Sequence, residues 1–178
     1  MRKFIFLALA MCSTVGFGQK LITKTGSISF DGSVPSFEPV KAKNESVSCA
    51  FNSDNGSIAS LALVKAFRFK TALMEEHFNE NYIESNKFPK AILKGKLVDF
   101  NNNDLSDKPK EYILKGSIEL HGIKKNISIK ANLTKRNDGV LIESDFTLNA
   151  SDFEITIPAF VKSKLTDVIK VNVGFLVK

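Results

Sequence analysis

The stretch "EYILKGSIELHGIKKNISIKANLTKR", residues 111–136, decides the fold because apolar residues recur in it at every second position. Tyr112 and Leu114 start the first alternating run, and Ile127 and Ile129 belong to the second. Successive side chains of a β-strand point to opposite faces, so each run has one apolar and one polar face. Gly122 separates the runs and predicts a turn. The stretch therefore predicts a long antiparallel hairpin with one buried face.

Similar alternation fills most of the remaining chain. Turn residues separate the runs, among them Asn55-Gly56 and the "NDG" of residues 137–139, which favour hairpins. Residues 31–33, "DGS", are expected to break the first run. About eight antiparallel strands with one apolar face each predict a closed β-barrel, because closure removes the exposed edges. The fold class is therefore mainly β. The runs occupy residues 20–30, 40–52, 57–69, 91–100, 140–150 and 167–178.

One segment, residues 71–82, has helical rather than strand periodicity. Thr71 is suited to cap a helix, and the glutamates that follow fall on one side of the helical wheel. The other side is apolar and is expected to face the sheet together with Phe88, which Pro89 holds in an extended conformation. The segment predicts a short α-helix that covers one mouth of the barrel. Its apolar underside comprises Leu73, Met74, Phe78, Tyr82 and Phe88.

The N-terminus has the pattern of a signal peptide. Basic residues precede an apolar run at residues 4–15, and "GFG" places small residues before Gln19. This run is shorter than the ~20 residues that span a bilayer. Lipidation at Cys12 is an alternative, although the bulky Met11 before it disfavours that reading. We expect residues 1–18 to be removed and 19–178 to form one exported domain, periplasmic or secreted, with no membrane span.

Composition and motifs argue against several function classes. The formal net charge of +6 comes from lysines spread along the chain, which does not indicate nucleic-acid binding. Cys49 alternates with Val47 and Phe51 and is expected to be a buried core residue. No nucleotide-binding or nucleophile motif is present. The two histidines, His77 and His121, lack the partners that a zinc site needs, so we predict no catalytic residue, no metal, no cofactor and no enzyme activity.

The inside of an eight-stranded barrel is either a packed core or a cavity for one elongated ligand. Several inward positions carry small residues, which leave room in a lumen or simply fit the taper of the barrel. The small residues are Ala91, Gly95, Gly116, Ala131 and Ser144. If the lumen is hollow, sixteen residues are expected to form its apolar lining and lid: Phe67, Phe69, Leu73, Met74, Phe78, Tyr82, Phe88, Leu93, Leu97, Tyr112, Leu114, Ile118, Ile129, Phe146, Val171 and Phe175.

Two segments resemble the YceI-like polyisoprenoid-binding proteins. "FKTALMEEHFNENYIESNKFPKAILKGKL", residues 69–97, is similar to the family's helix, its "F-P" turn and the strand that follows. "GSIELHGIKKNISI", residues 116–129, is similar to its "H-G" hairpin. The resemblance covers nearly all of residues 19–178. The chain departs from the family pattern at Ile92-Leu93 and Ile123-Lys124.

The resemblance implies a lipocalin-like barrel that holds an isoprenoid chain in an apolar tunnel. The expected partner is a hydrophobic small molecule, such as an isoprenoid, a quinone or another lipid, and a transient contact with a membrane surface fits this role. Two alternatives stay open: a ligand-free secreted stress or interaction barrel, and a metal-dependent hydrolase that uses His77 and His121. The sequence leaves the ligand, the roles of both histidines and the choice between monomer and homodimer undecided.

Overall fold

A computed structural model describes residues 20–35, 37–158 and 164–178. The proposed signal peptide, its cleavage point before Gln19 and the alternative lipidation site at Cys12 lie outside the described residues. Among those residues no helix has the length and apolar character needed to cross a bilayer.

The described residues form nine β-strands, and eight of them close into an antiparallel barrel. The order around the barrel is β1-β9-β8-β7-β6-β5-β3-β2, and β1 also pairs with β2, which closes the sheet. The two-residue β4 pairs with the beginning of β2. The predicted eight-stranded antiparallel barrel is therefore confirmed. The strands are β1 Lys20–Ser33, β2 Lys41–Asn52, β3 Ser57–Leu63, β4 Arg68–Phe69, β5 Lys90–Leu97, β6 Lys110–Leu120, β7 Ile123–Arg136, β8 Gly139–Asn149 and β9 Leu165–Val177.

Two strand boundaries differ from the sequence prediction. β1 does not end before "DGS" but continues to Ser33, because β2 and β9 pair with it on both sides and Lys41 contacts Asp31 at 3.2 Å. The run at 57–69 was expected to be one strand, but β3 ends at Leu63. The 3₁₀ turn Val64–Ala66 follows and turns Phe67 into the core, where its side chain is buried.

The helix, α1, begins where the sequence predicts and covers Ala72–His77. The Thr71 hydroxyl accepts a hydrogen bond from the backbone N–H of Met74 at 3.3 Å, which confirms the cap. The chain continues as a π-helical turn over Phe78–Tyr82, with the Ile83 N–H donating to the Phe78 carbonyl. Leu73 was expected on the apolar underside, and this is wrong, since its side chain is 59% exposed. It lies about 140° from Phe78 around the helix, and Phe78 is the residue that faces the barrel.

The barrel interior is packed in one half and hollow in the other. The packed half lies where β1, β3, β6 and β8 begin and where β2, β5, β7 and β9 end. Its centre contains Phe51, Leu97 and Leu133, each no more than 2% exposed. Cys49 is buried there too, as predicted, and burial raises the pKa of its thiol to about 12. The helix sits at the opposite end, over the hollow half.

Candidate ligand cavity

The hollow half of the barrel encloses a cavity of about 530 Å³. Six of the eight barrel strands and the short β4 contribute to its wall, and the helix with its π-helical turn covers one side. Most lining side chains are aliphatic or aromatic. Apolar cavities of this kind stay dry and bind apolar molecules. The geometry therefore suits a ligand with a long apolar part.

Ten of the sixteen residues predicted to form the lining do contact the cavity. They come from β5, β6, β8, β9, the turn around Phe67, β4 and the helical segment, so residues distant in sequence meet here. The ten are Phe67, Phe69, Met74, Phe78, Tyr82, Leu93, Ile118, Phe146, Val171 and Phe175.

The other six lie elsewhere. Leu97, Tyr112, Leu114 and Ile129 belong to the packed half or pack against it. Phe88 lies against His121, with ring centroids 4.5 Å apart, and its ring covers Gly122. Leu73 points to solvent. Strand alternation identifies inward-facing residues, but it does not say which half of the barrel they fill.

Four aromatic rings, the phenylalanine cluster Phe30, Phe67, Phe69 and Phe78, fasten the helical segment to the barrel. The Phe78 centroid lies 5.5 Å from Phe30, 6.2 Å from Phe67 and 5.0 Å from Phe69. All four rings also line the cavity. Tilted and edge-to-face aromatic contacts at these distances are favourable beyond their buried area. The same rings thus hold the lid and form the wall next to it.

Ion pairs on the outer surface hold the lid in place. The charged lining residues lie away from the deep part of the cavity. Arg68 pairs with Glu75 of α1 at 2.6 Å, and Lys70 pairs with Glu38 at 3.3 Å. Such exposed pairs contribute little individually. Among the described lining residues the acidic and basic side chains, Glu38, His77 and Lys164, are all exposed and lie at the mouth. Partial burial raises the pKa of Tyr82, in the π-helical turn of the lid, above its ordinary value.

The floor of the cavity is the boundary between the hollow and packed halves. On β9 the boundary residue is Phe175, which lines the cavity and belongs to the packed core. A bulge of β1 at Gly26 makes room for this ring, because a Cβ at Gly26 would lie 2.4 Å from Phe175 Cδ1. On β3 the boundary residue is Ser60, and it is followed toward the packed end by buried Ile58.

His121, whose role the sequence left open, joins three parts of the chain. It stands at positive φ in the β6–β7 turn, followed by Gly122. Its Nδ1 donates to the Phe153 carbonyl at 2.9 Å, and its Nε2 lies 3.3 Å from Glu84 Oε2. Hydrogen bonds from Lys87 and His121 hold the pKa of Glu84 below its ordinary value, so this carboxylate is an ionised acceptor at neutral pH and loses its charge only in acid. His121 therefore connects the β6–β7 hairpin to the loop that follows the π-helical turn and to the 3₁₀ turn Ala150–Phe153.

His77 has a different environment. It is exposed at the mouth, and no described residue forms a hydrogen bond with its ring. No group of three or more His, Cys, Asp or Glu side chains that could hold a metal ion occurs among the described residues. The geometry assigns His121 to a structural contact and His77 to the cavity rim, and it gives no support to a shared metal site.

We expect His121→Ala to lower the stability of the barrel without changing its fold. The change removes two polar contacts and the packing against Phe88, a loss of about 2 kcal/mol. For a chain of this size the melting temperature should fall by roughly 4–8 °C, measured by circular dichroism. His77→Ala is the matched control and should melt like the wild type. An equal fall in both variants, or none in His121→Ala, would contradict the role given to His121.

Comparison with known proteins agrees with this geometry. The family model of the YceI-like domain matches residues 12–176. The chain belongs to the YceI-like family. The match confirms the resemblance to this family. None of the curated proteins matches the chain.

Solved structures share the YceI-like fold at low sequence identity. A polyisoprenoid-binding domain from Saccharophagus degradans implicated in plant cell wall breakdown has a TM-score of 0.77 at 10% identity, over 89% of this chain and 97% of its own. BcnA of Burkholderia cenocepacia has a TM-score of 0.69 at 13% identity, with 85% and 96% covered. The YceI protein of Campylobacter jejuni has a TM-score of 0.58 at 12% identity, with 100% and 99% covered. At such identities the likeness is one of fold alone.

Several residues that line the cavity of this YceI-like protein were not identified from the sequence. Ile28 and Phe30 alternate within β1, so their period was visible, but nothing indicated that this face meets the cavity. Phe153 lies in a 3₁₀ turn without periodicity, although it is only 2% exposed. Ser60 was also missed, because one serine in an apolar strand has no distinctive pattern.

Proposed function

We propose that this YceI-like protein binds one apolar chain, such as a prenyl chain, in the hollow half of its barrel and carries or sequesters it without chemical change. The observation that carries the proposal is the cavity of about 530 Å³ with its almost entirely apolar lining. The name of the Saccharophagus degradans domain, which shares the fold, points to the same ligand class.

The proposed mechanism is the transfer of apolar surface out of water. Burying about 400 Å² of a chain at ~25 cal/mol per Å² supplies about 10 kcal/mol. Loss of ligand freedom opposes part of this gain, so few polar contacts are needed for useful affinity. The alternative, a ligand-free interaction barrel, has less support. Protein interiors are close-packed, and an apolar lumen that no ligand fills does not stabilise the barrel.

A competition titration tests the proposal. The protein is first loaded with an environment-sensitive apolar dye, and farnesol or geranylgeraniol is then added. We expect the dye to be displaced at low micromolar or lower concentrations of the longer alcohol, and at higher concentrations of hexanol. A protein that takes up neither dye nor prenyl alcohol would contradict the proposal and leave the interaction barrel as the better account.

We further propose that the protein acts outside the cytoplasm after removal of residues 1–18. The proposal rests on the basic start, the apolar run at residues 4–15 and the small residues before Gln19. Intact-mass measurement of the protein from the native cell envelope tests it. A chain that begins at Gln19 supports the proposal. An unprocessed chain starting at Met1 would contradict it, and a chain that begins with a lipidated Cys12 would contradict cleavage before Gln19 while leaving the protein outside the cytoplasm.

A further inference from the structure

The deep end of the cavity contains one buried polar side chain among the described lining residues, Ser60. Its relative exposure is 6%, and at the same level of the sheet its neighbour on one side is the buried Cys49 of β2. On the other side its neighbours are Leu93 of β5 and then Ile118 of β6, which are apolar and line the cavity. At the next inward position along β3 the small residue is Ala62, which has no polar group. Small size alone therefore does not account for a hydroxyl at Ser60.

No described residue forms a hydrogen bond with the Ser60 hydroxyl. The other serine buried on an inner face of the barrel, Ser144, donates to the Lys130 carbonyl at 2.6 Å. Buried hydroxyl groups are normally hydrogen-bonded, and one without a partner is destabilising. Because Ser60 lines the cavity, a bound molecule can reach its oxygen. The unpaired hydroxyl thus marks a point where the ligand is expected to be polar.

The surroundings of Ser60 limit what that polar group can be. Among the described lining residues the acidic and basic side chains, Glu38, His77 and Lys164, lie exposed at the mouth, so no described charge is available to neutralise an ion at the floor. Burying an unpaired phosphate or carboxylate there would be strongly unfavourable. An uncharged oxygen needs only one hydrogen bond, which a serine hydroxyl can donate or accept.

We propose that Ser60 forms a hydrogen bond with an uncharged oxygen, a carbonyl or hydroxyl, at the inner end of the bound chain. This inference rests on the proposed function and deepens it. It assigns the ligand a class, apolar chains that carry a neutral oxygen, and an orientation, with that oxygen toward the packed half. An anionic head group, if the ligand has one, then lies at the mouth.

The test compares two ligands that differ in one atom. Farnesylacetone is an isoprenoid chain that ends in a methyl ketone, and its control is the hydrocarbon in which a methylene group replaces the ketone oxygen. We expect Ser60→Ala to weaken farnesylacetone binding about tenfold and to change hydrocarbon binding by less than about twofold, as measured by calorimetry or dye displacement. Ser144→Ala, whose hydroxyl is already bonded to the backbone, is the matched control and should affect neither ligand.

Infrared spectroscopy gives a readout that a merely structural effect would not change. With a ¹³C-labelled carbonyl, the C=O band of bound farnesylacetone should lie at lower frequency in the wild type than in Ser60→Ala. If Ser60→Ala weakens both ligands equally, leaves ketone binding unchanged or leaves the band in place, this inference is overturned and the binding function stands. If the wild type binds neither ligand, the inference and the proposed function both fail.

Discussion

Ala62→Phe is expected to weaken binding of a prenyl chain strongly while leaving the barrel folded. Ala62 is 1% exposed, lines the cavity and is paired with Ala91, another small lining residue. A phenyl ring at this position occupies space that the ligand would fill. Losing about 100 Å² of ligand burial costs about 2.5 kcal/mol, which is close to a 100-fold rise in Kd. Filling an apolar void should leave the melting temperature unchanged or higher.

The matched control for this variant is Ala59→Phe on the same strand. Ala59 is exposed, because it lies on the outer face of β3. The same ring on that face should leave ligand affinity within about twofold of the wild type. The measurement is a titration of both variants with geranylgeraniol. Normal affinity in Ala62→Phe would show that the ligand does not use this cavity.

Gly116→Ala is expected to destabilise the barrel wall strongly. Gly116 of β6 is paired with Gly95 of β5, and the two strands approach closely at this pair. A Cβ at Gly116 would lie 2.1 Å from the Lys94 carbonyl oxygen and 2.4 Å from the Gly95 Cα, both of them backbone atoms that cannot rotate away. The strands must separate, and we expect a loss of about 3 kcal/mol or more. Thermal unfolding should show a melting temperature lower by roughly 6–12 °C.

Gly174→Ala provides the control, because it is also a glycine in the middle of a barrel strand. The nearest atom to a Cβ there is Ser27 Oγ at 3.5 Å, an ordinary contact. This variant should therefore change the free energy of unfolding by less than about 1 kcal/mol. Equal stability of the two alanine variants would contradict the close approach of β5 and β6.

The sequence predicts the barrel well because each strand has a polar outer face. Alternation in residues 111–136 corresponds to β6 and β7, and the turn at Gly122 has the positive φ that a tight hairpin requires. The helix start was also accessible, since the Thr71 cap is a local interaction. In these cases the structure is determined by interactions between residues close in sequence or by the two-residue period of a β-strand.

The extent of the cavity could not be predicted from the sequence in the same way. Leu93 and Leu97 share one face of β5, yet Leu93 lines the cavity and Leu97 is packed into the core. The difference depends on what the other strands place at each level, which is a long-range property. The exposure of Leu73 was missed because the face of α1 is set by the contacts of Phe78 with three rings of the barrel. The role of His121 likewise depends on Phe153, which is distant in sequence.

The central claim is that the hollow half of the barrel holds one apolar chain. Native mass spectrometry of the full protein purified from its own organism tests it most directly, with Ala62→Phe and Ala59→Phe beside it. We predict that the wild type and Ala59→Phe carry one molecule of several hundred daltons per chain, released into organic solvent, and that Ala62→Phe carries much less. A wild-type protein that is empty, or an Ala62→Phe variant as fully loaded as the wild type, would contradict it.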